Sequence, residues 1–181
     1  SYLAWTQLPA LCAQAAATLV YKPMLLGGVF QATGNASPAT VAAKGRYMVV
    51  DLGRFAKRYG VKFRMNPHFP INTLQLMRAA IGVQLRQPER FALFLNAVFT
   101  ALWVNGANLN DPAVTAATLV EAGFDPTEIF ALINDADIKA ALKANTEDAV
   151  ARGVFGAPTV FVGDAMFFGQ DRLDFVKEAL A

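Results

Sequence analysis

A single cysteine, Cys12, and a single histidine, His68, stand in a chain of 181 residues. One cysteine excludes an internal disulfide and a Cys-x-x-Cys redox pair, and one histidine excludes a His-paired metal site. No metal is expected. His68 lies in the turn-like stretch Met65 to Thr73, where a histidine satisfied by neighbouring backbone is the first expectation and catalysis the second. An excess of charge is lacking too. The 16 basic and 14 acidic residues leave a net +2, and they are scattered, so nucleic acid is not an expected partner. The longest apolar stretch, Phe91 to Val104, is broken by Asn96 and Thr100 and is too short to span a bilayer. Without a membrane segment, a cleavable leader pattern or paired cysteines, the sequence suits a reducing, cytoplasmic compartment.

What is present is a helical middle between strand-like ends. Leu3, Leu8, Leu11, Cys12 and Ala15 share one side of a helix over residues 2–16, which makes Cys12 a packed small hydrophobe. Thr18 to Leu25 is rich in β-formers and reads as a strand that ends near Pro23 and Gly27-Gly28. A short helix follows over Val29 to Ala32. Further helices are predicted over Pro38 to Tyr59, Asn72 to Val83, Pro88 to Val104, Pro112 to Ala122, Pro126 to Ile133 and Ala136 to Arg152. Ser37-Pro38, Asp111-Pro112 and Asp125-Pro126 each set a capping side chain before a proline at the first helical position. Strands return at Thr159 to Val162 and Ala165 to Phe168, joined by Gly163-Asp164 in a Gly-first, type II′ order, and a helix closes the chain from Asp171 to Leu180. The fold class is α/β, a sheet domain over 1–28 and 146–181 interrupted by an all-helical insertion over 29–145.

Two segments near the carboxyl end carry the chemistry. Ala157, ahead of Pro158 at the head of a strand, offers its N–H and C=O to a peptide-like ligand; the bland reading is a proline that only begins an edge strand. Gln170 and Asp171 sit at a helix start, where backbone N–H groups attract a carboxylate and Asp171 accepts from an ammonium; the bland reading of Asp171 is a cap. Asn35 and Lys44 lie in a glycine-rich connection and add an amide and a cation. Trp5, Phe30, His68 and Trp103 are candidates for an aromatic substrate pocket, each otherwise ordinary core or loop. The succession of a proline-headed strand, a second strand, a glycine turn and a helix start with an acid resembles the thioredoxin-like fold, and a thioredoxin-like chain with no reactive cysteine of its own must import a thiol. Glutathione, with an ammonium and carboxylate at its head and a cysteine in the middle, fits both segments.

The stretches Ser1-Tyr2-Leu3-Ala4, Lys22 to Gly28, Thr33-Gly34-Asn35, Lys44 to Met48, Asn66 to Thr73, Gly156 to Thr159 and Phe168 to Arg172 together resemble the 2-hydroxychromene-2-carboxylate isomerases, relatives of the kappa-class glutathione transferases. The resemblance implies a thioredoxin-like fold with a helical insertion, a homodimer, and glutathione as cofactor. It implies glutathione-dependent cis-trans isomerisation between 2-hydroxychromene-2-carboxylate and trans-o-hydroxybenzylidenepyruvate in naphthalene-type aromatic degradation. The alternatives are a kappa-like transferase that conjugates electrophiles and a glutathione-binding protein without turnover. Asn35, Lys44, Ala157, Pro158, Gln170 and Asp171 match the family's cofactor-contacting positions. Its thiolate-stabilising serine and first strand belong ahead of Ser1, so no catalytic serine is assigned here.

Overall fold

The structure, a computed structural model, describes residues 1–181. The chain forms two compact units. Ser1–Lys22, Leu26–Lys62 and Ala149–Ala181 make the first, and Pro23–Leu25 with Phe63–Asp148 the second. The helices of residues 26–62, which helical content alone groups with the middle of the chain, thus cluster with the chain's two ends.

In the first unit, helix α1 (Tyr2–Gln14) buries Ala4, Leu8 and Cys12, a stripe at four-residue spacing. Ala4 and Leu8 meet Leu173 and Val176 in one apolar cluster, onto which Val160, Val162 and Phe167 pack. The last three come from an antiparallel hairpin of β1 (Thr159–Val162) and β2 (Ala165–Phe168), in the register Thr159 to Phe168 and Val162 to Ala165. Alternation turns Val160 and Val162 toward the cluster, while Phe161 on the other face lies 3.6 Å from the Arg152 guanidinium carbon. Gly163 has φ +57 and Asp164 does not enter the left-handed region, as the Gly-first turn requires.

The strand expected over Thr18 to Leu25 does not form; those residues are irregular. Burial still alternates along Ala17 to Lys22, as it would in a strand. Pairing makes a strand, however, and the only paired strands are β1 and β2. β-propensity reports fit to a half-buried pleated surface, not the presence of a neighbour. Gly27 and Gly28 likewise do not end a strand, because both lie in the first turn of α2 (Leu26–Thr33).

The helix expected over Pro38 to Tyr59 is in two pieces. Ser37 accepts from the Ala39 N–H at 3.2 Å and starts a 3-10 turn, Pro38–Thr40; Val41 then takes an extended conformation before α3 (Ala42–Tyr59) begins. Gly60, in the left-handed region at φ +67, ends α3, and the Val61 N–H returns to the Ala56 carbonyl at 3.0 Å in a Schellman closure.

The second unit is helical: α4 (Leu74–Arg86), a 3-10 turn at Pro88–Arg90, α5 (Phe91–Thr100) continued by a π turn at Ala101–Asn105, α6 (Pro112–Glu121), α7 (Pro126–Asn134) and α8 (Ala136–Ala151), whose last turn lies in the first unit. Asp111 and Asp125 cap α6 and α7 through bonds of 2.8 Å to the Ala113 and Thr127 N–H groups, as the sequence predicts. Asp135 caps α8 in the same way. Buried Asn66 ties off the π turn: its amide donates to the carbonyls of Leu102 and Ala107 at 3.0 and 2.9 Å, and its oxygen accepts from the His68 N–H at 2.8 Å. No helix is long and apolar enough to cross a membrane.

Candidate functional site

The head of β1 and the start of the last helix form one site in the first unit, held by four hydrogen bonds that involve side chains or turn amides. Asn35, just past the end of α2, donates its side-chain amide to the Phe155 carbonyl at 2.7 Å. Thr159 donates its hydroxyl to the Gly156 carbonyl at 2.9 Å, closing a local turn around Ala157 and Pro158. The Gly169 N–H donates to the Pro158 carbonyl at 2.9 Å, which brings the Gln170–Arg172 turn against the strand head. Tyr59, the last residue of α3, donates its hydroxyl to the Gln170 carbonyl at 3.0 Å.

Within this frame Ala157 is half-buried, its peptide to Pro158 is cis, and neither its N–H nor its C=O takes part in the β1–β2 ladder or in a turn bond. A donor and an acceptor so placed suit an extended peptide laid alongside them. Gln170 is buried, and its side-chain Oε1 has no hydrogen-bond partner. A buried acceptor in that condition costs stability unless a ligand or water supplies a donor.

Asp171 is exposed and does not act as a cap. Its carboxylate pairs with the Arg172 guanidinium at 2.6 Å, and the residue at the cap position is Gly169. Gly169 has φ +104, a conformation that L side chains rarely adopt, and the Asp171 carboxylate fills the place where a Cβ at 169 would stand. Burial raises the Tyr59 phenol above its ordinary range; Asp174 and Asp171 push it the same way, against Arg58. Phe168 covers the strand head from the side: its ring lies 4.5 Å from that of Phe155, and a Cβ added to Gly156 would fall 2.6 Å from its Cε2.

Of the residues expected from sequence, Asn35, Ala157, Pro158, Gln170 and Asp171 are thus tied into one stretch of surface. Lys44 is not. It lies in the first turn of α3, exposed and without an ion pair, in a shallow groove with Pro38, Tyr47 and Asp51. Trp5 stacks on Tyr2 at 6.3 Å and Phe30 lies half-buried on α2, both in the first unit. His68 and Trp103 belong to the second unit, where Trp103 stacks on Phe63 at 6.0 Å and touches Phe69 at 6.3 Å, and His68 is exposed. Cys12 is buried in α1, and burial pushes its thiol pKa up, the opposite of a reactive thiolate. Sequence reasoning missed Tyr59 and Phe168. Tyr59 lies 111 residues from its partner, and no local signal announces that bond. Phe168 was visible only as a strand residue, although its alternation with Phe167 already placed it on the face opposite the core.

The whole chain, residues 1–181, matches the family of DSBA-like thioredoxin domains. It is 31% identical to 2-hydroxychromene-2-carboxylate isomerase of Pseudomonas putida, over 99% of this chain and 88% of the relative. It is 27% identical to glutathione S-transferase kappa 1 of Homo sapiens, over 90% of this chain and 77% of the relative. Among solved structures, that of a selenomethionine 2-hydroxychromene-2-carboxylate isomerase superposes with a TM-score of 0.86 at 28% identity, over 99% of this chain and 88% of that one.

Proposed function

The chain belongs to the family of DSBA-like thioredoxin domains, with 2-hydroxychromene-2-carboxylate isomerases and kappa glutathione transferases among its relatives, and on that footing we propose that it is a glutathione-dependent isomerase. Its substrate is a cyclic hemiketal of the 2-hydroxychromene-2-carboxylate type, opened to the trans-benzylidenepyruvate in the breakdown of naphthalene-like aromatics. Within residues 1–181 the one cysteine, Cys12, is buried and offers no second thiol for a redox pair.

The observation that carries the reading is the pairing of two unmet needs at one site: the unladdered N–H and C=O of Ala157 and the buried, unpartnered Oε1 of Gln170. Glutathione fits both. Ala157 would pair with its cysteinyl backbone, and Gln170 with Asp171 would hold the γ-glutamyl ammonium. The chemistry supplied at the site is that of a thiol nucleophile, whose reversible addition to an activated double bond permits rotation about it.

The residues of this chain bind and orient. Tyr59 and Gly169 fix the Gln170–Asp171 turn, and Asn35 and Thr159 fix the two peptides ahead of Ala157. Lys44 is proposed as a further contact for a carboxylate, and Trp5, Phe30, His68 and Trp103 as substrate-contacting residues. The working form is proposed to be a cytoplasmic homodimer.

Absorbance of 2-hydroxychromene-2-carboxylate, followed with the protein and with and without glutathione, tests the reading. Conversion to the trans product only when glutathione is present, with its concentration unchanged at the end, is the expected result. Relatives named as kappa glutathione transferases support a second reading. It takes over if the hydroxychromene is untouched while a haloaromatic electrophile accumulates as a glutathione conjugate.

A further inference from the structure

The outer face of the β1–β2 hairpin is apolar and open. Cross-strand register sets Phe161 opposite Met166 and Thr159 opposite Phe168, so these four share the side turned away from Val160, Val162 and Phe167. Met166 is 37% exposed and Phe168 42%, and Phe155, at 37%, joins them with its ring 4.5 Å from that of Phe168. Of fourteen phenylalanines only Phe155, Phe168 and Phe175 are exposed, and two of the three meet here. Single apolar residues scattered over a surface are ordinary, whereas two touching rings with a thioether on the same face form a patch that a ligand can use.

One end of this face is cationic. Past the end of α8, Gly153 takes the left-handed region at φ +85 and the Val154 N–H returns to the Ala149 carbonyl at 2.9 Å, which fixes the backbone on either side of Arg152. The Arg152 guanidinium lies over the Phe161 ring, 3.6 Å from its centroid, and makes no ion pair and no hydrogen bond. An arginine stacked on a ring in this way keeps its N–H edge for a planar carboxylate. The other end is held as well, because the Phe155 carbonyl accepts from Asn35 at 2.7 Å. Between the two ends, the Thr159 hydroxyl is spent on the Gly156 carbonyl at 2.9 Å. Phe161 and Thr159 are two residues apart on β1, so their rows are about 7 Å apart, a separation that two fused rings bridge.

We propose that this face binds a flat aromatic carboxylate of one or two rings, with the rings against Phe168, Phe155 and Met166 and the carboxylate on the free edge of Arg152. Aromatic cations are disfavoured, because Arg152 repels them and none of the residues named is an acid. Phe155 lies two residues before Ala157, so the face adjoins the strand head. The substrate proposed above, an aromatic that bears one carboxylate, belongs to this class, and only in that respect does the inference rest on the proposed function.

The test uses the full chain, without glutathione, with isotope-labelled methyl groups on its five methionines; the Met166 signal is assigned by its loss in Met166→Leu. The probes are 2-naphthoate, 2-naphthylmethylammonium and acetate. Naphthoate should move the Met166 signal upfield and saturably, with a Kd on the order of a millimolar, while Met65 and Met77 in the second unit stay in place. The ammonium should bind about fivefold more weakly, and acetate, which brings charge without rings, should move nothing. Arg152→Gln, an exposed change, should erase the preference for naphthoate over the ammonium, and Phe168→Leu should weaken both. An unmoved Met166 signal overturns the proposal, as does a shift shared by all five methionines or a preference for naphthoate that survives in Arg152→Gln. None of these readouts needs turnover, so a failed hydroxychromene assay alongside a saturable Met166 shift sinks the proposed function and leaves this site standing.

Discussion

Asn35 reaches across 120 residues of sequence to donate its side-chain amide to the carbonyl of Phe155 at 2.7 Å, fastening the segment after α2 to the segment that leads into Ala157. The same side chain turns its oxygen to the Ala36 N–H at 2.8 Å, so its orientation is fixed at both ends. Asn35→Ala should cost about 1 kcal/mol in urea unfolding and weaken glutathione binding several-fold in a calorimetric titration. Asn35→Asp should be worse than alanine, because it sets a carboxylate against a carbonyl. An alanine variant with unchanged affinity would show that this fastening does not shape the binding site.

Asp171 is bonded only to its neighbour Arg172, in an exposed pair of the kind that contributes little to stability. Asp171→Asn should therefore leave the melting temperature nearly unmoved while reducing glutathione affinity about tenfold. Glutathione acetylated on its amine, which has no ammonium to offer, should bind the native protein and the variant alike. Equal losses for both ligands would remove Asp171 from the ammonium contact.

Gly156 leaves no room for a side chain, since a Cβ there would lie 2.6 Å from Cε2 and 3.1 Å from Cζ of Phe168. Gly156→Ala should destabilise the protein by about 1–3 kcal/mol, the usual cost of overpacking. Adding Phe168→Leu should recover part of that loss. The double-mutant cycle measures the coupling directly, and additive effects would mean that the contact is slack.

The raised phenol of Tyr59 makes stability depend on alkaline pH with a defined sign. The native state holds this proton above the ordinary tyrosine pKa of about 10, where the unfolded chain has begun to release it. Unfolded molecules then bind fewer protons than native ones, so stability falls as pH rises through that window. Tyr2 and Tyr21, also raised by burial, act in the same direction. Melting curves between pH 8 and pH 11 should decline for the native protein and decline less steeply for Tyr59→Phe. That variant should also bind glutathione more weakly at neutral pH, because the Gln170 carbonyl loses its donor.

Local signals were legible and long-range ones were not. The Asp-Pro pairs at Asp111 and Asp125 announced their helices, because a cap and its helix lie within three residues of each other. The Ser37-Pro38 pair announced only a 3-10 turn: Val41, β-branched and extended, separates it from α3. Thr18 to Leu25 had the composition and, in part, even the burial rhythm of a strand, but pairing depends on a partner that no window of sequence contains. The candidate site divides in the same way. Ala157-Pro158 and Gln170-Asp171 were visible as a strand head and a turn, whereas Tyr59, which holds that turn, and Phe168, which roofs Gly156, owe their roles to the folded chain.

The unladdered backbone of Ala157 implies a particular kind of selectivity. Main-chain groups present the same face to every peptide bond, so they cannot tell one amino acid from another; what they register is where along the ligand that peptide bond falls. Gln170 and Asp171 are held beside them by the Gly169 to Pro158 bond, so on the proposed reading the strand head is a caliper, with one jaw at the backbone and the other at a charged terminus. A tripeptide with the right span would pass whatever reactive group it carried in the middle. On the proposed function, the jaws stay constant while the surfaces that meet the second substrate change, and a shift in aromatic specificity would leave the cofactor measurement untouched.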